Sequence, residues 1–190
     1  MKIYLIRHGQ TIFNLEKKIQ GRKNIPLCPA GIEEIKRWIF PEHLKKLPAF
    51  SSPLIRAIET AKLSGFDPMI ESNLIEMDWG EGEGKKVEDF RKKYGDIFKK
   101  EEEKGINFNF FNAESPKMVQ KRAWNFIKTL KKDSIIFTHK GVIRALYALA
   151  TDWDMKNKPK VKLENNCIHS FNILRNNQFT IDHLNISLIK

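Results

Sequence analysis

Two stretches of this chain join an unbroken apolar run to an abrupt change of chemistry. Ile3-Tyr4-Leu5-Ile6 is apolar and mostly β-favouring, as a strand buried on both faces of a parallel sheet requires. Arg7 and His8 follow without a spacer, Gly9 permits a sharp turn, and Gln10, Thr11 and Asn14 bring polar groups just beyond. Ser134-Ile135-Ile136-Phe137-Thr138 repeats the pattern, with His139-Lys140-Gly141 next and then an apolar helix through Val142, Leu146 and Leu149. Each run predicts a strand that delivers a histidine to a turn. In open α/β sheets ligands bind beyond the carboxyl ends of the strands, so parallel strands would bring both histidines to one sheet edge.

The intervening pattern supplies the remaining layers. Residues 20–27 read as continued loop able to line the same site. Pro29 and Gly31 introduce a helix over 31–40, with Ile32, Ile35 and Ile39 on its packing face and Pro41 at its end. A strand over 49–52 precedes a helix over 53–64 with Pro53 in its first turn. Arg56 lies in that turn, where a basic side chain beside free helix N–H groups can build an anion pocket. Residues 65–84 are rich in glycine, acids and aromatics, and Gly80, Gly82 and Gly84 argue against a continuous helix. Asp78, Glu81 and Glu83 there serve either solvation and local pairing or chemistry. A charged helical region over 87–104 is expected to break near Gly95. It leads to an aromatic loop whose Phe108, Phe110 and Phe111 either cap a pocket or pack a satellite core. Ser115-Pro116 starts a helix reaching Lys131, and the alternation over 167–174 and 178–184 predicts a hairpin about Asn176-Asn177. With no repeats or linkers, a single domain over 1–190 is expected.

Composition bounds the function. A chain of 190 residues with 41% hydrophobic and 30% charged positions suits one soluble domain, and no apolar run approaches the roughly 20 residues of a membrane span. The amino terminus runs straight into a strand and does not read as a signal peptide, which makes a cytoplasmic location the default. Cys28 and Cys167 are read as free thiols. The excess of 34 Lys and Arg over 23 Asp and Glu, a net +11, attracts phosphorylated metabolites, nucleic acids or anionic surfaces, but its short clusters are interleaved with acids and mostly suit a solvated surface. Arg7, His8, Arg56 and His139 gathered at one edge would suit a phosphoryl group, whose charge is spread over three oxygens. A metal is the competing ligand. It is disfavoured because an arginine beside a ligand histidine repels a cation and no His-Glu-x-x-His or cysteine-rich spacing is present.

Arg7-His8-Gly9-Gln10-Thr11, with Asn14 and Gln20-Gly21, resembles the signature of the histidine phosphatase superfamily, the phosphoglycerate-mutase-like fold. The resemblance runs along most of the chain. SSPLIRAIETA, residues 51–61, is similar to the family's second motif, and LIEMDWGEGEG, residues 74–84, resembles its acid-bearing loop. AES followed by Arg122 resembles its GES motif and downstream arginine, THKGVIRAL its second-histidine motif, and Leu184-Asn185 also fits. The resemblance implies a three-layer α/β fold with a mostly parallel central sheet, helices on both faces and a C-terminal β-hairpin. It also implies His8 as nucleophile, Glu76 as proton donor and then helper of the attacking water, and Arg7, Arg56 and His139 as holders of the phosphoryl oxygens. His139 serves that task best as a donor or cation. Asn14, Gln20 and Gly21 are further phosphate or substrate contacts, and no metal or organic cofactor is required. Lys140 stands where the family often has Gly, Ala113 where it has Gly, Asn24 where it is often acidic and Cys28 where it is often Thr. These departures bear on substrate, and Lys140 either adds charge near it or points outward.

The implied activity is hydrolysis of a small phosphorylated metabolite, similar to the α-ribazole-5′-phosphate or broad-specificity members. A phosphoglycerate mutase is the alternative, disfavoured because mutases of the family are typically longer. A phosphoprotein phosphatase is a further alternative. A basic nucleic-acid-binding protein on the same scaffold is disfavoured because every catalytic position is filled by a competent residue. No pattern specifies an oligomeric state.

Overall fold

The computed structural model describes residues 1–111, 113–176 and 178–189. One six-stranded sheet organises them, in the order β3-β2-β4-β1-β5-β6, with β1 Lys2–Arg7, β2 Ala49–Ser51, β3 Met69–Ile70, β4 Ser134–Thr138, β5 Cys167–Ile173 and β6 Phe179–Ser187. β1, β2, β3 and β4 run parallel, while β5 and β6 add an antiparallel pair at one side. The expected α/β class with a mostly parallel sheet and a C-terminal hairpin is what the chain adopts. Asn177, in the expected hairpin turn, lies outside the described residues.

The two apolar runs occupy the middle of the sheet because both of their faces are covered. From β1, Ile3 and Leu5 enter one core, with Leu74, Val119, Ala123, Ile127, Ile136, Val142 and Leu146. Ile6 enters the other, with Leu27, Ile35, Ala61, Ile135, Phe137 and Ile168. The first core is covered by α6 (Pro116–Ile127) and α7 (Lys140–Thr151), the second by α2 (Pro29–Ile35) and α4 (Ile55–Leu63). Strict alternation of faces within a fully apolar run is the signature of a central strand. The short helix α3 (Glu42–Lys45) adds Leu44 to the second core, and a second short helix, α1 (Ile12–Leu15), lies in the loop after β1.

The helix expected over 31–40 ends at Ile35. Trp38 and Phe40 are buried, while Ile39 is 51% exposed and donates its backbone N–H to Leu188 O at 2.8 Å. That long-range bond, with Pro41 disfavouring a helical Phe40, overrides the helical spacing. α5 (Val87–Glu102) breaks where expected, at Gly95, whose φ of 49° and ψ of −123° interrupt the helix. Both readings of the aromatic loop apply. Phe108, Phe110 and Phe111 pack with Phe90, Tyr94 and Phe98 beside Trp79, and Phe98 and Phe108 also reach the cleft described next.

Candidate active site

The parallel register of β1 and β4 aligns Arg7 with Thr138, so the residues that follow, His8 and His139, leave the sheet side by side. His8 N donates to Thr138 O at 3.0 Å, and the imidazole centroids are 5.2 Å apart. β2 adds the third wall: Ser52 N donates to Phe137 O at 3.0 Å, and Ser52 Oγ lies 2.7 Å from His139 Nε2. α4 then starts at Ile55 and places Arg56, fully buried, in its first turn. Thr60 links this helix to the first loop, accepting from Gly9 N at 2.9 Å and donating to Arg56 O at 2.6 Å.

The loop after β1 is self-braced. Thr11 caps α1 in a reciprocal box with Asn14, and its hydroxyl reaches Gln20 Oε1 at 2.9 Å. Gly21 takes a φ of +51°, against the carboxylate of Glu83, and lends its carbonyl to Arg56 Nη2 at 2.8 Å, while Lys23 O takes Nη1 at 2.8 Å. Arg7 donates to Asn165 Oδ1. Glu76 lies on the connection between β3 and α5. Its Oε2 accepts from Gly141 N at 3.2 Å, the second residue of α7, and its Oε1 from Met77 N at 2.8 Å. A β-carbon at Gly141 would stand 2.2 Å from Glu76 Oε1, so any larger residue there must move the carboxylate.

The electrostatics separate the two histidines from ordinary ones. His8 Nδ1 lies 2.7 Å from Gly9 O. A carbonyl only accepts, so Nδ1 carries the proton. Burial first, then Arg7 and Arg56, hold His8 well below the usual imidazole value. A neutral ring with its proton on Nδ1 leaves a lone pair on Nε2. Burial, followed by Arg56, His8, Arg7 and Arg122, also depresses His139, so of the two forms expected for it, donor or cation, the cation is disfavoured in the free protein. Burial pushes Arg56 down to about 10, with Glu76 opposing and Arg7 reinforcing the shift, and it remains charged at neutral pH. Among the described residues five buried side-chain polar atoms lack a partner, and three of them are Arg7 Nε, Arg56 Nε and His139 Nδ1. Unpartnered buried polar atoms are rare, and three of them in one cluster, two of them guanidinium N–H donors, fit an oxygen-rich anion.

A cleft of about 980 Å³ opens on the Arg7 and His8 side of this cluster, while Arg56 and His139 are fully buried and do not line it. Arg7, His8, Gln10, Asn14, Gln20, Gly21, Glu76 and Lys140 line it together with Arg144, Lys156, Phe13, Trp79 and Phe108. Lys140, left open between two orientations by the sequence, faces the cleft, and its ammonium is depressed by burial and by Arg7, Arg144 and Lys162. Ser52, Thr60, Arg22 and Asn165 also belong to the site's construction. Ser52 and Thr60 sit inside the second motif without a spacing that singles them out. Asn165 sits in the irregular connection between α7 and β5, where no periodicity points to it.

A family model described as the histidine phosphatase superfamily (branch 1) matches residues 3–187. The chain belongs to that superfamily. The class expected from the sequence, a phosphatase of this superfamily, stands with it. A putative phosphoserine phosphatase 2 of Hydrogenobacter thermophilus is 28% identical over 174 residues, covering 86% of this chain and 85% of that one. Fructose-2,6-bisphosphatase of Saccharomyces cerevisiae is 29% identical over 166 residues, but the match spans only 36% of its length. Among solved structures, TTHB049 from Thermus thermophilus superposes with a TM-score of 0.76 at 28% identity, covering 98% of this chain and 99% of that one. A phosphoglycerate mutase from the same organism superposes at 0.68 with 31% identity, over 95% of this chain and 97% of its own. The last match removes chain length as an argument between hydrolase and mutase.

Proposed function

We propose that the chain is a phosphomonoester hydrolase that works through a phosphohistidine on His8, without a metal or organic cofactor, on a small phosphorylated metabolite. The observation that carries this reading is the bond from His8 Nδ1 to Gly9 O, which leaves Nε2 as a fixed, unprotonated nucleophile. Nε2 forms the N–P bond as the ester P–O bond breaks. Arg7, Arg56 and His139 hold the equatorial oxygens, whose charge a preorganised, water-poor pocket stabilises best. Glu76 gives its proton to the departing oxygen and, as carboxylate, takes one from the water whose attack on phosphorus breaks the N–P bond and frees His8 Nε2 with its electron pair. Asn14, Gln20 and Gly21 shape the loop over the phosphoryl group, and Lys140 contributes positive charge to the leaving-group side of the cleft.

The substrate class rests on the cleft beyond the phosphate. Its cations and aromatic side chains suit a metabolite that carries a further anionic group or a ring, within the α-ribazole-5′-phosphate-like or broad-specificity range. The names of the relatives add phosphoserine and fructose 2,6-bisphosphate to the compounds worth screening. Turnover of p-nitrophenyl phosphate and such a panel in EDTA, by the parent and by His8→Ala, tests the proposal. The parent is expected to be active in EDTA and the variant to lose at least a thousandfold, on the order expected for removing a nucleophile. Equal activity of the two would sink the mechanism, and loss of turnover in EDTA would sink the metal-free step. The mutase reading, favoured by the match to the Thermus thermophilus mutase, is tested by phosphoglycerate interconversion with and without 2,3-bisphosphoglycerate.

A further inference from the structure

The loop that carries Glu76 is fastened from outside by one buried ion pair. Glu114 and Arg122 meet in a fork, Nε to Oε1 at 2.7 Å and Nη2 to Oε2 at 3.0 Å, with side chains only 8% and 16% exposed. Their other bonds converge on the acid loop. Arg122 Nη1 donates to Asn73 O at 2.6 Å and Nη2 to Glu76 O at 3.2 Å. Glu114 Oε2 accepts from Asp78 N at 3.3 Å, and Glu114 N donates to Asp78 O at 3.0 Å. The backbone is therefore tied before, at and after Glu76, through Asn73, Glu76 and Asp78, to a single pair on α6 and the segment just before it. Arg22 extends the tie to the loop after β1, reaching Glu114 at 3.4 Å and Asp78 at 3.3 Å.

A buried ion pair is a poor device for stability, since an apolar pair of similar volume is often as stable, whereas its directional bonds fix geometry. We infer that the Glu114–Arg122 fork is a positioning device that sets where the Glu76 carboxyl stands over the departing oxygen. The inference rests on the reading of Glu76 as proton donor. In that step His8 Nε2 bonds to phosphorus, the P–O electron pair goes to the leaving oxygen, and the Glu76 proton follows it. Such a transfer is sensitive to displacement, and about 1 Å of misplacement can cost on the order of a hundredfold.

The experiment exploits how much each leaving group needs a proton. Phenyl phosphate releases a phenol of pKa about 10, whereas p-nitrophenyl phosphate releases a far more acidic one. Phosphoenzyme formation is measured in single turnovers with both esters, for the parent, Glu76→Gln, Glu114→Gln, Arg122→Met and Arg122→Lys. Glu76→Gln is expected to slow phenyl phosphate by on the order of 10²- to 10⁴-fold, and p-nitrophenyl phosphate far less. Arg122→Met and Glu114→Gln are expected to slow phenyl phosphate by about tenfold to a hundredfold while nearly sparing the nitrophenyl ester. Arg122→Lys, which keeps the charge but not the fork, should fall between them and the parent. Combined with Glu76→Gln, Arg122→Met should leave the ratio of the two esters where Glu76→Gln alone puts it. Should Arg122→Met fail to fold, Glu114→Gln and Arg122→Lys carry the same comparison. Equal losses on both esters in the clamp variants, with Glu76→Gln selective, would overturn the positioning role and leave Glu76 as donor. An unselective Glu76→Gln would overturn both.

Discussion

His8 and His139 are two imidazoles in contact whose neighbours are arginines, and the pH behaviour of the site follows from that crowding. Burial and the Arg7 and Arg56 guanidinium groups hold His8 below 6.5, and burial with Arg56 does the same for His139. The sign is fixed by linkage. Above 6.5 neither the folded nor the unfolded chain protonates these rings, so stability is flat. As pH falls below 6.5 the unfolded chain takes up protons that the folded one refuses, and stability is lost until the depressed folded-state values are reached. For activity the same depression is useful, because kcat/KM reports the free enzyme. Its acid limb, corrected for the substrate's own ionisation near 6, is expected well below pH 6.5, and a limb at 6.5 or above would contradict a buried neutral nucleophile. At this scale the sequence shows which residues matter but not their protonation. Arg7, His8, Arg56 and His139 are legible as types at strand ends and a helix start. The neutral state of His139 depends on complete burial and on Arg56, Arg7 and Arg122 from separate parts of the chain, and no local pattern encodes either.

Elements place those residues, and their legibility depends on how local the deciding interaction is. β1 and β4 are plain in the sequence because a central strand packs apolar side chains on both faces, all five in β4 being buried and Ile3, Leu5 and Ile6 in β1. The break in α5 at Gly95 is plain because glycine adopts the required positive φ without strain. The end of α2 is not, since the bond from Ile39 N to Leu188 O joins opposite ends of the chain. The start of α7 is the element on which the acid depends. Its Gly141 N–H, one of the donors a helix leaves unpaired in its first turn, holds the Glu76 carboxylate. Gly141→Ala would add a methyl group 2.2 Å from Glu76 Oε1 and must displace it. The expected result is a loss of about tenfold to a hundredfold in kcat, with a melting temperature close to the parent's because Ala favours the helix. A kcat within a factor of about two of the parent's would show that this contact does not position the acid.

Across the whole molecule the net charge of +11 acquires a location only once the sheet edge is built. Lys140, Arg144 and Lys156 line the cleft above Arg7, and Lys140 is depressed by burial first and then by Arg7, Arg144 and Lys162, with Glu76 opposing. Cations that repel one another around a cleft create a potential that an anion relieves, and such a field raises encounter rates by amounts that salt removes. The Debye length shrinks from about 10 Å at 0.1 M to about 3 Å at 1 M. kcat/KM for a phosphate dianion is therefore expected to fall by on the order of tenfold between these limits, while kcat, measured with the site full, changes little. Lys140→Gln should flatten the slope and raise KM most for substrates with a second anionic group, since the transferred phosphoryl group keeps Arg7 and Arg56. Replacing Lys131, exposed just before the start of β4 and so at the opposite end of the sheet from His139, should leave the slope nearly intact, because its field is screened before it reaches the cleft. Steepening or indifference at Lys140, measured as kcat/KM against ionic strength in both variants, would return its charge to the solvated surface that a Lys-rich sequence suggests by default.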